Sequence, residues 1–163
     1  MVAMFLGASS FAQALRRSLV FTLGHSVTLT AVAMGWLVQP GPWIEPLIAL
    51  TIGVSAWLAF RGRLQERSAL VLPAAFGLVH GLGFAAAVAD NLASWSTGDV
   101  VLILIGFNLG VEGAQALVIG GAAAFFWSTE RARLPEAKIR QGLSLAVALT
   151  GFGVFAWRLL GLG

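Results

Sequence analysis

Cysteine is absent from the 163 residues, and charged residues make up only 10% of them. Without cysteine the chain has no disulfides, no thiolate metal site and no cysteine nucleophile. Hydrophobic residues make up 58%, and the mean hydropathy is +0.89. A soluble domain would need many more polar residues to cover its surface, so the composition predicts a membrane protein whose partner is the lipid bilayer.

Clustered basic residues and a nucleotide-binding motif are also missing. The net charge is only +3, and the basic residues lie in short stretches between apolar segments, so nucleic acid is not an expected partner. The phosphate-binding pattern GxxxxGK[ST] does not occur. Any uphill transport would therefore depend on an ion gradient, the membrane potential or another protein.

Long apolar segments predict an all-α fold, a polytopic transmembrane helix bundle that forms a single domain over residues 1–163. A membrane-spanning helix needs about 20 predominantly apolar residues. Five clear spans are predicted, together with a partial N-terminal apolar segment at residues 2–15; the spans are 18–38, 43–60, 69–90, 100–127 and 142–162.

Basic residues set the predicted orientation. Nine of the ten lie at the ends of spans that share one side, and Arg158 is the exception. Because cytoplasmic loops are enriched in Lys and Arg, we expect a bacterial inner-membrane protein with its basic loops in the cytoplasm and its C-terminus outside.

Polar residues inside the spans are the main functional signal. At about 1.5 Å per residue, His25 and His80 lie about 10 and 16 Å from the cytoplasmic side, at depths that Asn108 and Glu112 also reach. Polar side chains at this depth are costly unless they are paired, hydrated or bound to a ligand. Asn108, Glu112 and Gln115 share one helix face, so the sequence predicts a site made of His25, His80, Asn108 and Glu112, with Gln115 beside it.

Several polar residues could have a structural role in place of a role in metal binding. His25 can donate to a nearby carbonyl, and the neighbouring hydroxyls of Ser26 and Thr28 can bond within their own helix or support the site as a second layer. Glu45 lies near the outer edge of its span, where it is predicted either to guard the entrance or to interact with a helix N-terminus.

Small residues flank two of the polar positions. Gly77 and Gly81 bracket His80, and Gly106 and Gly110 bracket Asn108. Spacing of this kind allows helix backbones to approach closely, so both pairs predict tight helix contacts.

Imidazole and carboxylate donors without sulfur favour borderline divalent ions. Nickel, cobalt and zinc suit such ligands, whereas copper(I) prefers thiolate or thioether. Magnesium or calcium would need more oxygen donors at one depth than the chain offers.

Four ordered segments resemble the HupE/UreJ family of polytopic membrane proteins over nearly the whole chain. They are FTLGHSVTL at 21–29, Glu45 followed by LIAL at 47–50, FGLVHGLGFA at 76–85, and FNLGVE at 107–112 with Gln115. The resemblance implies a metal permease or a metallocentre accessory protein linked to nickel or cobalt.

One feature of the resembled family is missing. Its members begin with an apolar helix bearing a Gly-x-Asp-His motif, whereas no Asp or His precedes His25 here. We expect either a late start of the chain, or a second copy or partner subunit that completes this helix.

The main hypothesis is a protein that binds and transports Ni, Co or Zn, with release driven by protonation of His25, His80 or Glu112, because metal ligands must be deprotonated. One alternative is a structural or accessory subunit in which the polar residues form interhelical hydrogen bonds. Another is a metal-dependent hydrolase with Glu112 as general base, although the HExxH spacing is absent.

Overall fold

The computed structural model describes residues 6–8, 10–63, 68–92 and 95–161, and within them the chain forms five α-helices and no strand. The all-α prediction is therefore confirmed. The helices are α1 (Phe11–Ala33), α2 (Ile44–Phe60), α3 (Ser68–Leu92), α4 (Thr97–Arg131) and α5 (Glu136–Leu159).

The first helix differs most from the predicted span. It begins at Phe11, capped by Ser10 Oγ, which accepts from the Gln13 amide at 3.2 Å, and it ends before Gly35, where φ is 72°. The predicted break between the segment 2–15 and a span starting at 18 is wrong for residues 11–17, because these continue the helix; residues 2–5 and 9 lie outside the described residues. Arg17 consequently belongs to the helix and is only 1% exposed.

Two helices are long and apolar enough to cross a membrane. These are α4 and α5, and only 17% of the most apolar window of each is buried within the chain. A core helix of a soluble protein would be mostly buried, whereas here large side chains such as Leu117, which is 79% exposed, point outward. Helix α2 and the segment Leu70–Ala86 of α3 are apolar, but each is shorter than a full membrane span. The prediction of five clear spans is therefore not confirmed as stated.

Glycines bring α1 and α3 into backbone contact. An added Cβ at Gly24 would lie 2.6 Å from the Ala74 carbonyl oxygen, and one at Gly77 or Gly81 would overlap the carbonyl oxygens of Phe21 and His25. The predicted close approach at Gly77 and Gly81 is therefore confirmed, and α1 and α3 form the most extensive helix contact in the described chain.

The second glycine pair behaves differently. A Cβ added at Gly106 or Gly110 would have no described atom within 4 Å, so the predicted tight contact there is wrong. A different close approach joins α2 and α5, where a Cβ at Gly151 would lie 2.7 Å from the Cα of Gly53.

Apolar clusters close both ends of the interface between α1 and α4. Leu29 and Val32 pack with Leu104 near the C-terminal end of α1, and Ala14 packs with Ile119 and Phe126 near its N-terminal end. The polar residues of both helices lie between these two clusters.

Candidate metal centre

Side chains of α1 and α4 form a continuous row of polar contacts, here called the polar seam, which comprises Ser18, Thr22, His25, Ser26, Asn108 and Gln115. At the end of the seam nearer the N-terminus of α1, buried Gln115 Oε1 accepts from Ser18 Oγ at 2.5 Å and from Thr22 Oγ1 at 3.1 Å. One carbonyl oxygen thus satisfies two hydroxyls of the facing helix. Gln115 therefore joins the two helices, as its position beside the predicted site suggested.

Asn108 forms the other end of the polar seam. Its Oδ1 lies 3.1 Å from His25 Nε2 and 2.5 Å from Ser26 Oγ, while its Nδ2 donates to the Leu104 carbonyl oxygen at 2.7 Å. Ser26 Oγ also lies 2.7 Å from the Thr22 carbonyl oxygen. His25 and Asn108, two of the predicted site residues, are thus joined by a direct hydrogen bond.

The His25 side chain is completely buried, and only one of its two ring nitrogens has a described hydrogen-bond partner. Its relative exposure is 0%, and the rings of Phe21 and Phe84 meet it edge-on, each with its centroid 5.7 Å away. Within the described part of the chain, Nδ1 has no hydrogen-bond partner. A buried nitrogen without a partner is costly, so this atom is the strongest indication of a bound ligand in the structure.

His80 lies close to His25 but bonds elsewhere. The ring of Phe21 contacts both imidazoles, with its centroid 5.0 Å from that of His80, so the two histidines share one neighbourhood. Nε2 of His80 lies 3.0 Å from Thr51 Oγ1 on α2. His80 therefore links α3 to α2 and is not part of the polar seam.

Glu112 lies one helical turn after Asn108 and is half-buried. It forms no hydrogen bond or ion pair with another described residue. Among the residues that the structure describes, no three of the His, Asp and Glu side chains lie close enough together to hold a metal ion. The four predicted ligands are thus neighbours that do not converge on one point in this conformation.

The remaining predicted residues have structural contacts. Thr28 Oγ1 donates to the Leu78 carbonyl oxygen at 2.8 Å, which joins α1 to α3 beside Gly81. Glu45 is in the first turn of α2, and its Oε2 lies 2.7 Å from Arg158 Nη1 of α5. Both side chains of this ion pair are well exposed, at 56% for Glu45 and 38% for Arg158.

Sequence reasoning missed several of these contacts. The positions of Ser18 and Thr22, two turns and one turn before His25, already place them on one face of α1, and this signal was available. Thr51 carries a weaker signal, because α2 has only one other hydroxyl residue, Ser55, in an otherwise apolar run after Glu45. Arg158 is the basic residue that departs from the loop pattern, which could have suggested a carboxylate partner on the outer side.

These features define a helical protein of membrane type with a buried polar interface around two histidines. The family comparison is more specific: the chain belongs to the HupE / UreJ protein family, whose match covers residues 1–159. Membership implies a membrane-associated function related to nickel or cobalt. The family generally comprises transporters and accessory proteins and not catalysts, so it lends no support to the hydrolase alternative. No curated protein and no solved structure matches the chain significantly.

Proposed function

We propose that this protein binds a divalent transition-metal ion, nickel, cobalt or zinc, at His25 and carries it across a membrane. The observation on which this proposal depends is the fully buried His25 ring with an unpartnered Nδ1 among the described residues. Imidazole nitrogen is a good ligand for these ions, and the family membership points to nickel or cobalt.

In the proposed arrangement all five helices cross the membrane, including α1, α2 and α3. The polar face of α1 is covered by α3 and α4, so its polar side chains are shielded from lipid. Basic residues at the inner ends of the helices face the cytoplasm of a bacterial inner membrane, and the C-terminus lies outside.

His80 and Glu112 would complete the metal site. His80 contacts the same Phe21 ring as His25, and Glu112 lies one helical turn after Asn108, which is hydrogen-bonded to His25. A carboxylate at membrane depth needs a cation or a proton, so a divalent ion between these three side chains would neutralise it. Bringing the three side chains to one ion would require them to move, because no three His, Asp or Glu side chains of the described residues lie close enough together to hold an ion in this conformation.

Metal binding by purified protein tests this proposal. Competition titrations with a chromogenic chelator, for each of Ni²⁺, Co²⁺ and Zn²⁺, should show one tight site in the wild-type protein. His25→Ala should lose that site, whereas Ser128→Ala should keep it, because Ser128 is an exposed residue of α4 that bonds only to the Ala124 carbonyl of its own helix.

Transport is measured separately with proteoliposomes that contain a metal-sensitive dye. Wild-type protein should admit the ion that it binds, and His25→Ala should not. Wild-type protein that binds none of the three ions, or equal affinities for wild type and His25→Ala, would contradict the proposal.

A structural or accessory role is the second candidate function. It is favoured by the interhelical hydrogen bonds of the polar seam, which join α1 to α4, and by the contact between His80 and Thr51, which joins α3 to α2. On this view, replacing both histidines would lower stability without affecting metal binding. A stoichiometric partner that copurifies with the wild-type chain, together with the absence of a metal site, would favour this role.

A further inference from the structure

The orientation of the Asn108 side chain determines which nitrogen of His25 carries a proton. The Leu104 carbonyl oxygen can only accept, so the atom 2.7 Å from it is the amide Nδ2 of Asn108. The carbonyl Oδ1 must then face His25. Since Oδ1 can only accept, Nε2 of His25 is the donor across the 3.1 Å contact, and in the neutral ring Nδ1 carries a lone pair.

Thr51 determines in the same way which nitrogen of His80 carries the proton. The Thr51 hydroxyl lies 2.7 Å from the Ile48 carbonyl oxygen, which takes up its single proton. Thr51 Oγ1 is then an acceptor, so Nε2 of His80 is the donor across the 3.0 Å contact. The two histidines therefore have the same tautomer, although their partners belong to different helices.

We propose that Asn108 and Thr51 are positioning residues that hold His25 and His80 as Nε2–H tautomers, so that Nδ1 of each ring is the nitrogen that binds the cation. Asn108 then acts through His25 and is not itself a ligand. That a cation occupies Nδ1 rests on the proposed function, whereas the tautomers follow from the hydrogen bonds alone. Ligating histidines commonly donate their other N–H to an oxygen that orients the ring, and that is the geometry here.

Burial explains why this control is needed. His25 is inaccessible to solvent and lies between the rings of Phe21 and Phe84, so water cannot supply an alternative acceptor for Nε2–H. Without Asn108 Oδ1 the ring would gain nothing from keeping its proton on Nε2. The proton would then be shared between the two nitrogens, and the fraction of rings with a free Nδ1 would fall.

Nitrogen-15 NMR of labelled histidine in bilayers tests the assignment directly. The chain has only two histidines, so His80→Gln leaves the signals of His25 alone and His25→Gln leaves those of His80 alone. At a pH where the rings are neutral, we expect a protonated Nε2 and a bare Nδ1 for both. In His80→Gln protein, addition of Zn²⁺ should shift the Nδ1 resonance of His25 and leave Nε2 protonated.

Variants of the two positioning residues separate this role from a merely structural one. Asn108→Leu and Thr51→Val should each mix the tautomers of the partner histidine and weaken Zn²⁺ binding by about 10- to 100-fold. Asn108→Asp and Thr51→Ser keep an acceptor oxygen and should restore the Nε2–H tautomer. This rescue distinguishes tautomer control from a general loss of packing.

The outcomes distinguish this proposal from the proposed function. A proton on Nδ1 in the wild-type protein, or a Zn²⁺-induced shift at Nε2, would overturn the positioning role even if the metal binds. The expected tautomers with no response to Zn²⁺, Ni²⁺ or Co²⁺ would support the positioning role and refute metal binding at this site.

Discussion

Replacing Gly24 with alanine should separate α1 from α3. The new Cβ would lie 2.6 Å from the Ala74 carbonyl oxygen and 3.1 Å from the Leu78 amide nitrogen, whereas ordinary van der Waals contact begins at about 3.4 Å. Both neighbours are backbone atoms inside a helix, so they cannot rotate away as a side chain would. Overpacking of this kind typically costs about 1–3 kcal/mol, which exceeds the gain of up to about 1 kcal/mol in helix propensity.

Gly110→Ala is the matched control, because no described atom lies within 4 Å of its Cβ position. It should be neutral or stabilising by up to about 1 kcal/mol, the full difference in helix propensity. The free energy of unfolding would be measured for both variants by reversible SDS titration in mixed micelles, followed by helical circular dichroism. A Gly24→Ala protein as stable as Gly110→Ala would refute the close crossing of α1 and α3.

Three further predictions concern hydrogen bonding, ion pairing and the lipid-facing surface. Gln115→Leu removes the acceptor of two buried hydroxyls on α1, so the same unfolding assay should show a loss of about 1–3 kcal/mol; an unchanged stability would count against the hydrogen bonds of the polar seam. The ion pair of Glu45 with Arg158 is exposed, so a double-mutant cycle should give a coupling below about 1 kcal/mol that decreases with salt, and a larger, salt-independent value would contradict this interpretation. Leu117→Lys places a charge on the exposed apolar face of α4 and should disfavour membrane insertion by about 3 kcal/mol in a translocation assay, unlike Leu134→Lys in the following loop; equal insertion of the two variants would show that this face does not contact lipid.

The helices were largely predictable, because apolar composition over about 20 residues is a local property of the chain. The start of the first helix was not, since the predicted span begins at residue 18, after the charged pair Arg16 and Arg17. In the structure both continue α1, and Arg17 is buried. A single sequence cannot show that a charged side chain will be covered by other helices, because that depends on contacts between distant segments.

The candidate site was predicted in part. Helix depth correctly placed Asn108 opposite His25, because both depths follow from counting residues along antiparallel helices. Depth does not report rotation about the helix axis, however, so it could not show that His80 bonds to Thr51 or that Glu112 lacks a described hydrogen-bond partner. The two glycine pairs illustrate the same limit: Gly77 and Gly81 face α1, while Gly106 and Gly110 face away from every described neighbour.

The sequence by itself determined the helical class, the order of the apolar segments and the presence of polar groups within them. These properties depend on composition and on the periodicity of neighbouring residues. Only the tertiary structure decided which polar groups meet, since hydrogen bonds between helices depend on rotation and on crossing points set by glycine. Only the packed helices show that His25 is hydrogen-bonded to Asn108 and His80 to Thr51, each through Nε2. They also show that Nδ1 of His25 is buried without a described partner.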